Sequence, residues 1–358
     1  MKTFPAGSAF SAGSRTFRWT DVVLAAILRG DWESFSRDVV RRLTRSARAG
    51  AAGEAPSDEE VESAGAEFRY ERDLISAEDM ESWLERYALS TDDWMGYIER
   101  TFFGSMPAAA DETDAGGAEA ASGIDAEELE ECLVIDAICS GALGRFAASL
   151  AARVAIDDRE SADPEAHASA PSAEAIGRAV DALSAGIARA GLPGLDAPPD
   201  LLADLARMEL VFDAHRRRFA SVPALRAEID ANRLDWIRIG IQELSFAEEA
   251  AAREALLCLR EDGETLEGVA ANAHLPVREE SVYLSEMDPA AKPDLLSARP
   301  GELVGPLAFG GRFHVFLLRD KTMPSEEDPD VRRRAEDAVV AKLVARETDA
   351  RIRWLEPG

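Results

Sequence analysis

The chain has 358 residues, of which 46% are hydrophobic and 30% charged, with a formal net charge of −28 and a pI near 4.5. That composition describes a globular chain long enough for two domains with real cores. So large an excess of acid argues against nucleic acid and against anionic membranes, since both recruit clustered Lys and Arg.

The charge is uneven. Residues 1–50 hold nine bases against four acids, and the arginine-rich helix expected there reads first as a solvated face. Docking onto the acidic body, or onto an acidic partner, is the alternative. The segment beginning Met1-Lys-Thr-Phe-Pro lacks the apolar core, roughly 7–15 residues, of a signal peptide. No run approaches the roughly 20 apolar residues of a membrane span. A cytoplasmic protein without membrane contact is therefore expected. Cys132, Cys139 and Cys258 are an odd count without metal-like spacing and read as buried thiols.

Helices are expected first at Thr20–Leu28, stopped by Gly30, and then from Asp31 to about Ala47, with Trp32, Phe35, Val39, Val40 and Leu43 turned inward. Ala49–Pro56 reads as a linker. Ser57-Asp-Glu-Glu60, Ser76-Ala-Glu-Asp79 and Ser90-Thr-Asp-Asp93 each place an acid three residues after a serine cap, which starts three short helices. Their apolar set, including Phe68, Tyr70, Trp83, Trp94, Tyr97 and Phe103, predicts a compact helical region. Ser105–Gly123 is acidic and of low complexity, a linker. One helix is expected from Asp125 to about Val154, then a loose stretch Asp157–Ser172, helices over 173–191 and 199–219, and a shorter one from Pro223 to Asn232.

At Leu234 the texture changes. Trp236-Ile-Arg-Ile-Gly-Ile241 alternates with period two and reads as a strand. A helix Phe246–Arg260, a short helix Glu264–Ala273, a strand Ser281–Leu284, a helical turn Asp288–Ser297 and a strand Phe313–Leu318 follow. A capped helix from Asp328 to about Leu355 closes the chain. The fold class is α+β: a helical region 1–104, a linker 105–124, a helical region 125–233, a small α+β domain 234–321 and a terminal helix 322–358.

Three segments of the small domain resemble the parvulin-type peptidyl-prolyl isomerases. Leu259-Arg-Glu-Asp-Gly-Glu-Thr-Leu-Glu-Gly-Val-Ala270 is similar to the family's helix-joining segment. Pro300-Gly-Glu-Leu-Val-Gly-Pro-Leu307 is similar to its glycine–glutamate turn, and Gly311-Arg-Phe-His-Val-Phe-Leu-Leu318 to its last strand. A helical half feeding such a domain resembles bacterial chaperones of the SurA and PpiC kind, and above all the parvulin-related proteins of peptide-maturation gene clusters.

The resemblance implies a centre of two histidines on neighbouring strands that favours a twisted X–Pro amide, whose rotation barrier is about 18–20 kcal/mol. His314 falls on the second position. The opening strand carries Gly240 or Ile241 where the first histidine belongs, no cysteine follows, and the family's glycine-rich turn is replaced by Val282–Asp288. Alone, His314 reads foremost as a structural histidine and next as a catalytic remnant. His167, His215 and His274 show no ligand spacing, so neither metal nor cofactor is expected.

What remains is a surface. Leu284, Met287, Leu303, Phe309, Phe313 and Phe316 are candidates to line an apolar peptide groove, although strand alternation makes half of them core. The leading expectation is a chaperone-like binder of a peptide or unfolded chain, with isomerase activity reduced or absent, which assists maturation of a ribosomally made precursor. The alternatives are an active isomerase and a scaffolding subunit for a peptide-modifying enzyme.

Overall fold

A computed structural model describes residues 2–105, 124–162, 171–192, 195 and 197–355. The expected acidic linker and the middle of the stretch 157–172, with His167, lie outside them. The protein is α+β, with two small antiparallel sheets among many helices. The chain divides into two compact units, Met1–Arg216 with Leu343–Gly358, and Arg217–Lys342.

Unit one opens on a hairpin that the sequence reading did not anticipate, β1 (Ser8–Ala12) and β2 (Arg15–Arg18). The last strand, β7 (Ile352–Trp354), adds to the free edge of β1 and gives the order β2-β1-β7. Phe10 is fully buried in this sheet, stacked on Phe17 at 4.9 Å and edge-on to Trp354 at 5.6 Å. The C-terminal helix therefore ends at Arg351 rather than Leu355, because its last residues pair as a strand.

α1 (Trp19–Arg29) is buried from Trp19 to Ile27 apart from Thr20 and stops at Gly30, whose φ of 80° only glycine adopts without strain. It packs against α7 (Ala142–Ala162) and α8 (Ala173–Ala190). On α8, a Cβ at Gly186 would lie 2.8 Å from the Ile27 side chain, so the two helices meet where no side chain fits. α2 (Asp31–Ala51) runs past Ala47 into the expected linker, where Ala49 is still buried. α3 (Asp58–Glu71), α4 (Ala77–Arg86) and α5 (Thr91–Ser105) begin at the three serine–acid boxes: each acid accepts from the cap's backbone N–H, and the cap hydroxyl accepts from N3. Their aromatics join one core with α1, α2, α6 (Ala126–Cys139) and α7. Tyr70 does not; it is 78% exposed.

The single helix expected over 125–154 is broken. Gly141, at φ 70°, ends α6, and α7 leaves at a bend of 70°. α7 then continues through Asp157, expected to be loose, because that carboxylate is buried between Arg15 and Arg207. Asp136 on α6 is likewise fully buried, 3.0 Å from Arg42 and 2.6 Å from Arg100. No single described helix is long and apolar enough to cross a membrane. Cys132, Cys139 and Cys258 are free thiols; Cys258, expected to be buried, is only half-buried. Desolvation is the largest cause raising the Cys139 thiol, to about 12.

Unit two takes in the end of α9 (Pro199–Phe219), α10 (Val222–Ala231) and most of α14 (Pro329–Arg351). It is larger than the expected 234–321 because Leu225, Ile229, Trp236, Val331 and Ala335 form one cluster that ties those helices together. Its sheet has the order β4-β3-β6-β5: β4 (Arg278–Tyr283), β3 (Arg238–Phe246), β6 (Arg312–Thr322) and β5 (Leu303–Phe309), all antiparallel. β3 starts two residues later than expected and runs five further. One face packs under α11 (Glu249–Glu261) and α12 (Leu266–Ala273) through Leu244, Phe246 and Val315. The other packs under a 3-10 turn, Leu284–Glu286, and α13 (Lys292–Ser297) through Ile239, Ile241, Phe316 and Leu318. Lys321 donates to the carbonyls of Leu296 and Ala298 at 2.8 and 2.7 Å, holding the end of α13 to the sheet.

Removing the Asp136 carboxylate leaves two guanidiniums facing a dry site. Asp136→Ala is expected to cost about 3–5 kcal/mol, read from the urea midpoint of unit one; a loss below about 1 kcal/mol would show that the two arginines find water instead. At pH 8 a thiol with its pKa at about 12 is thiolate in roughly one part in ten thousand. Iodoacetamide should therefore label Cys139 only after denaturation, and labelling of the native protein at the free-cysteine rate would contradict its burial.

Candidate functional site

Strand parity builds the site. On β3, Ile239, Ile241, Glu243 and Ser245 share one face, and on β6 His314, Phe316 and Leu318 share it too, because Ser245 pairs with His314 and Glu243 with Phe316. The apolar floor under α13 thus ends in a polar patch. The hairpin that carries His314 turns at Gly310 and Gly311, both at positive φ, as a two-residue turn between paired strands requires. Gly305 on β5 is equally constrained: its φ is 128° and a Cβ there would lie 2.6 Å from the His314 carbonyl oxygen.

His314 is 8% exposed. Its Nδ1 lies 2.5 Å from Glu243 Oε1 and its Nε2 lies 3.2 Å from the Phe309 carbonyl oxygen. Phe309 stacks on the imidazole at 3.8 Å with 7° between the planes, and Phe316 continues the parallel series at 6.1 Å. A carbonyl can only accept, so the geometry assigns a hydrogen to Nε2, and Nδ1 faces the carboxylate. Neither ring nitrogen is left over. The Phe309 face also suits a cationic imidazole electrostatically.

Beside the pair lies a pocket of about 340 Å3 walled by Leu275 and Pro276 from the loop after α12, by Ser245 and Arg278, and by Arg312. Arg312 Nε donates to Ser245 Oγ at 2.6 Å and its Nη2 to the Ser245 carbonyl at 2.9 Å, which fixes that wall. Arg278 stands opposite Glu243 across β3 and β4.

The sequence reading placed Gly240 or Ile241 opposite His314. The residue that meets it is Glu243, at the far end of the partner strand Trp236–Glu243. The signal was present: extending the period-two pattern of Ile239 and Ile241 puts an acid on the apolar parity, which demands a buried partner. Gly240 instead gives way to Asp320, whose carboxylate occupies the space a Cβ would need.

The six groove candidates divide by face. Leu284, Met287, Phe309 and Phe316 lie on the His314 side and Leu303 and Phe313 on the side of α11 and α12. Leu284 and Phe316 are buried to 3% and 1% exposure and form the floor, while Met287 and Phe309 stay half-buried. Of the six, Phe309 and Phe316 make ring contacts with His314, Phe309 at 3.8 Å and Phe316 at 6.1 Å. His274 sits at positive φ at the end of α12, and His215 in unit one lies 2.8 Å from Glu160, so neither joins His314.

With both side chains nearly enclosed, deleting one strands the other. A double-mutant cycle of His314→Ala and Glu243→Ala is expected to give a favourable coupling of about 0.5–3 kcal/mol in urea unfolding. Strict additivity would mean that the 2.5 Å contact contributes nothing.

The sequence matches no protein-family model and no curated protein. Among solved structures it is similar to the peptidylprolyl isomerase PrsA of Bacillus anthracis, at 12% identity over 56% of this chain and 94% of that one, with a TM-score of 0.31. It is also similar to the foldase protein PrsA of Streptococcus pneumoniae str. Canada MDR_19A, at 10% identity over 56% and 81%, TM-score 0.28. The foldase protein PrsA of Lactococcus lactis aligns at 11% identity over 59% and 85%, TM-score 0.26. Likeness at this level is no guide to activity.

Proposed function

We propose that the chain is a chaperone-like binder of peptides or unfolded chains, with a parvulin-like sheet unit in which isomerase chemistry is reduced or absent. The observation that carries this reading is the full commitment of His314: both ring nitrogens are taken, by Glu243 and by the Phe309 carbonyl. An imidazole so held has no nitrogen to offer a twisting amide. The pocket of about 340 Å3 at the end of the apolar face, with half-buried Phe309 beside it, suits one short extended segment. The parvulin relation itself rests on the strand order β4-β3-β6-β5 together with the motif segments 259–270, 300–307 and 311–318.

On this reading the client is a ribosomally made precursor peptide handled in the cytoplasm, and an enzyme that modifies it is the natural partner. A second reading keeps isomerase activity through desolvation and shape alone, for which the parallel stack of Phe309, His314 and Phe316 is the supporting observation.

Magnetisation-exchange NMR on acetyl-Ala-Ala-Pro-Phe-amide separates these readings. Binding with less than a tenfold acceleration of cis/trans exchange is the expected result. Acceleration beyond tenfold that survives His314→Ala supports the second reading. Acceleration beyond tenfold that His314→Ala abolishes overturns the proposal, since the ring would then be a working catalyst.

A further inference from the structure

Unit one carries a larger groove that the reading above does not use. It lies between α2, α3 and α5, and measures about 680 Å3, within the range of roughly 300–1,000 Å3 typical of ligand sites. Its floor is apolar: Val61 from α3 and Trp94 and Met95 from α5 are half-buried, and Phe103 closes one end. Small residues keep it open. Gly50 and Gly65 line the walls, and a Cβ at Gly65 would already lie 3.2 Å from the Trp94 ring.

The rim has one sign of charge. Glu54, Asp58, Glu62 and Glu99 are all exposed around the opening, and none of their carboxylates has a hydrogen bond or ion pair among the described residues. The single lining base, Arg69, donates to the carbonyls of Leu74 and Ile75 at 3.1 and 2.8 Å rather than to a rim acid. Four unneutralised carboxylates over a low-dielectric floor focus a negative potential into the groove. An aromatic and a methionine beneath them accept bulky apolar side chains with little demand for shape. The Trp94 indole N–H is buried without a hydrogen-bond partner.

We propose that this groove is a second peptide-binding site, selective for a cationic amphipathic segment: a bulky apolar side chain on Trp94 and Met95, flanked by Lys or Arg that pair with the four rim acids. The occupant is fixed by charge complementarity, because an acidic or neutral segment of equal apolarity gains nothing from the rim. The site is independent of the His314 pocket and stands whether or not that pocket binds peptide.

The test uses the full chain and two fluorescein-labelled hexapeptides, Lys-Phe-Lys-Leu-Arg-Phe and its counterpart with Glu at the three basic positions, titrated by anisotropy. The cationic peptide should bind at least tenfold more tightly at low ionic strength, and lose that advantage as salt screens the rim. The double substitution Glu62→Gln with Glu99→Gln, at exposed positions, should weaken it at least threefold. Met95→Arg, which sets a cation on the floor, should abolish binding, with a thermal melt verifying the fold; if that variant does not fold, the glutamine pair decides. Equal affinity for both peptides, or cationic binding indifferent to the glutamine pair, overturns the proposal.

Discussion

The pairing of β3 with β6 is the constraint on which unit two rests. These are the two inner strands of the sheet, so every residue on them faces one of two packed layers, and a shift of one position would exchange the layers wholesale. In the observed register Leu244 and Val315 feed the layer under α11 and α12, while Ile241 and Phe316 feed the layer under α13. The same register brings Glu243 and His314 onto one face. Their contact is a consequence of the core, and it in turn resists slippage, because a one-residue shift would bury each against apolar side chains without a partner.

A buried ion pair is a poor source of net stability, since desolvation offsets most of the attraction, but it strongly penalises any arrangement that separates its members. That is the character of the Glu243–His314 contact. A second histidine at this place would leave ring nitrogens to share or to offer; a carboxylate takes the Nδ1 edge of His314 outright. The Phe309 carbonyl takes the opposite edge, and the Phe309 ring covers a face. The geometry favours a fixed ring over a reactive one.

What could be read in the sequence follows the range of the interaction responsible. The three capping boxes were legible because cap and acid lie three residues apart and satisfy one another locally. The element order of unit two was legible from turn glycines and alternation. The bend at Gly141 was overlooked because apolar residues continue on both sides of it, and the segment through Asp157 because its helical state depends on Arg15, 142 residues away. Glu243 escaped for a related reason: it ends the partner strand Trp236–Glu243, but its pairing depends on His314, 71 residues away, and a polar residue on an apolar parity is where such a partner should be sought. Strand parity also divided the six groove candidates, as Phe313 and Phe316 had to face opposite ways.

The charge imbalance reads differently once the arginines are placed. The basic surplus of residues 1–50 is not simply a solvated face: Arg42 and Arg15 are spent on the buried carboxylates Asp136 and Asp157, and Lys2 on Asp93 at 2.5 Å. Arg100 and Arg207 are committed in the same way. Burial of an acid demands a cation of its own, so bases are drawn inward from a chain that already has too few. The exposed acids of α3 and α5 are the remainder of that distribution. Their negative field is therefore built into the way unit one folds, and any segment that settles among those helices meets it.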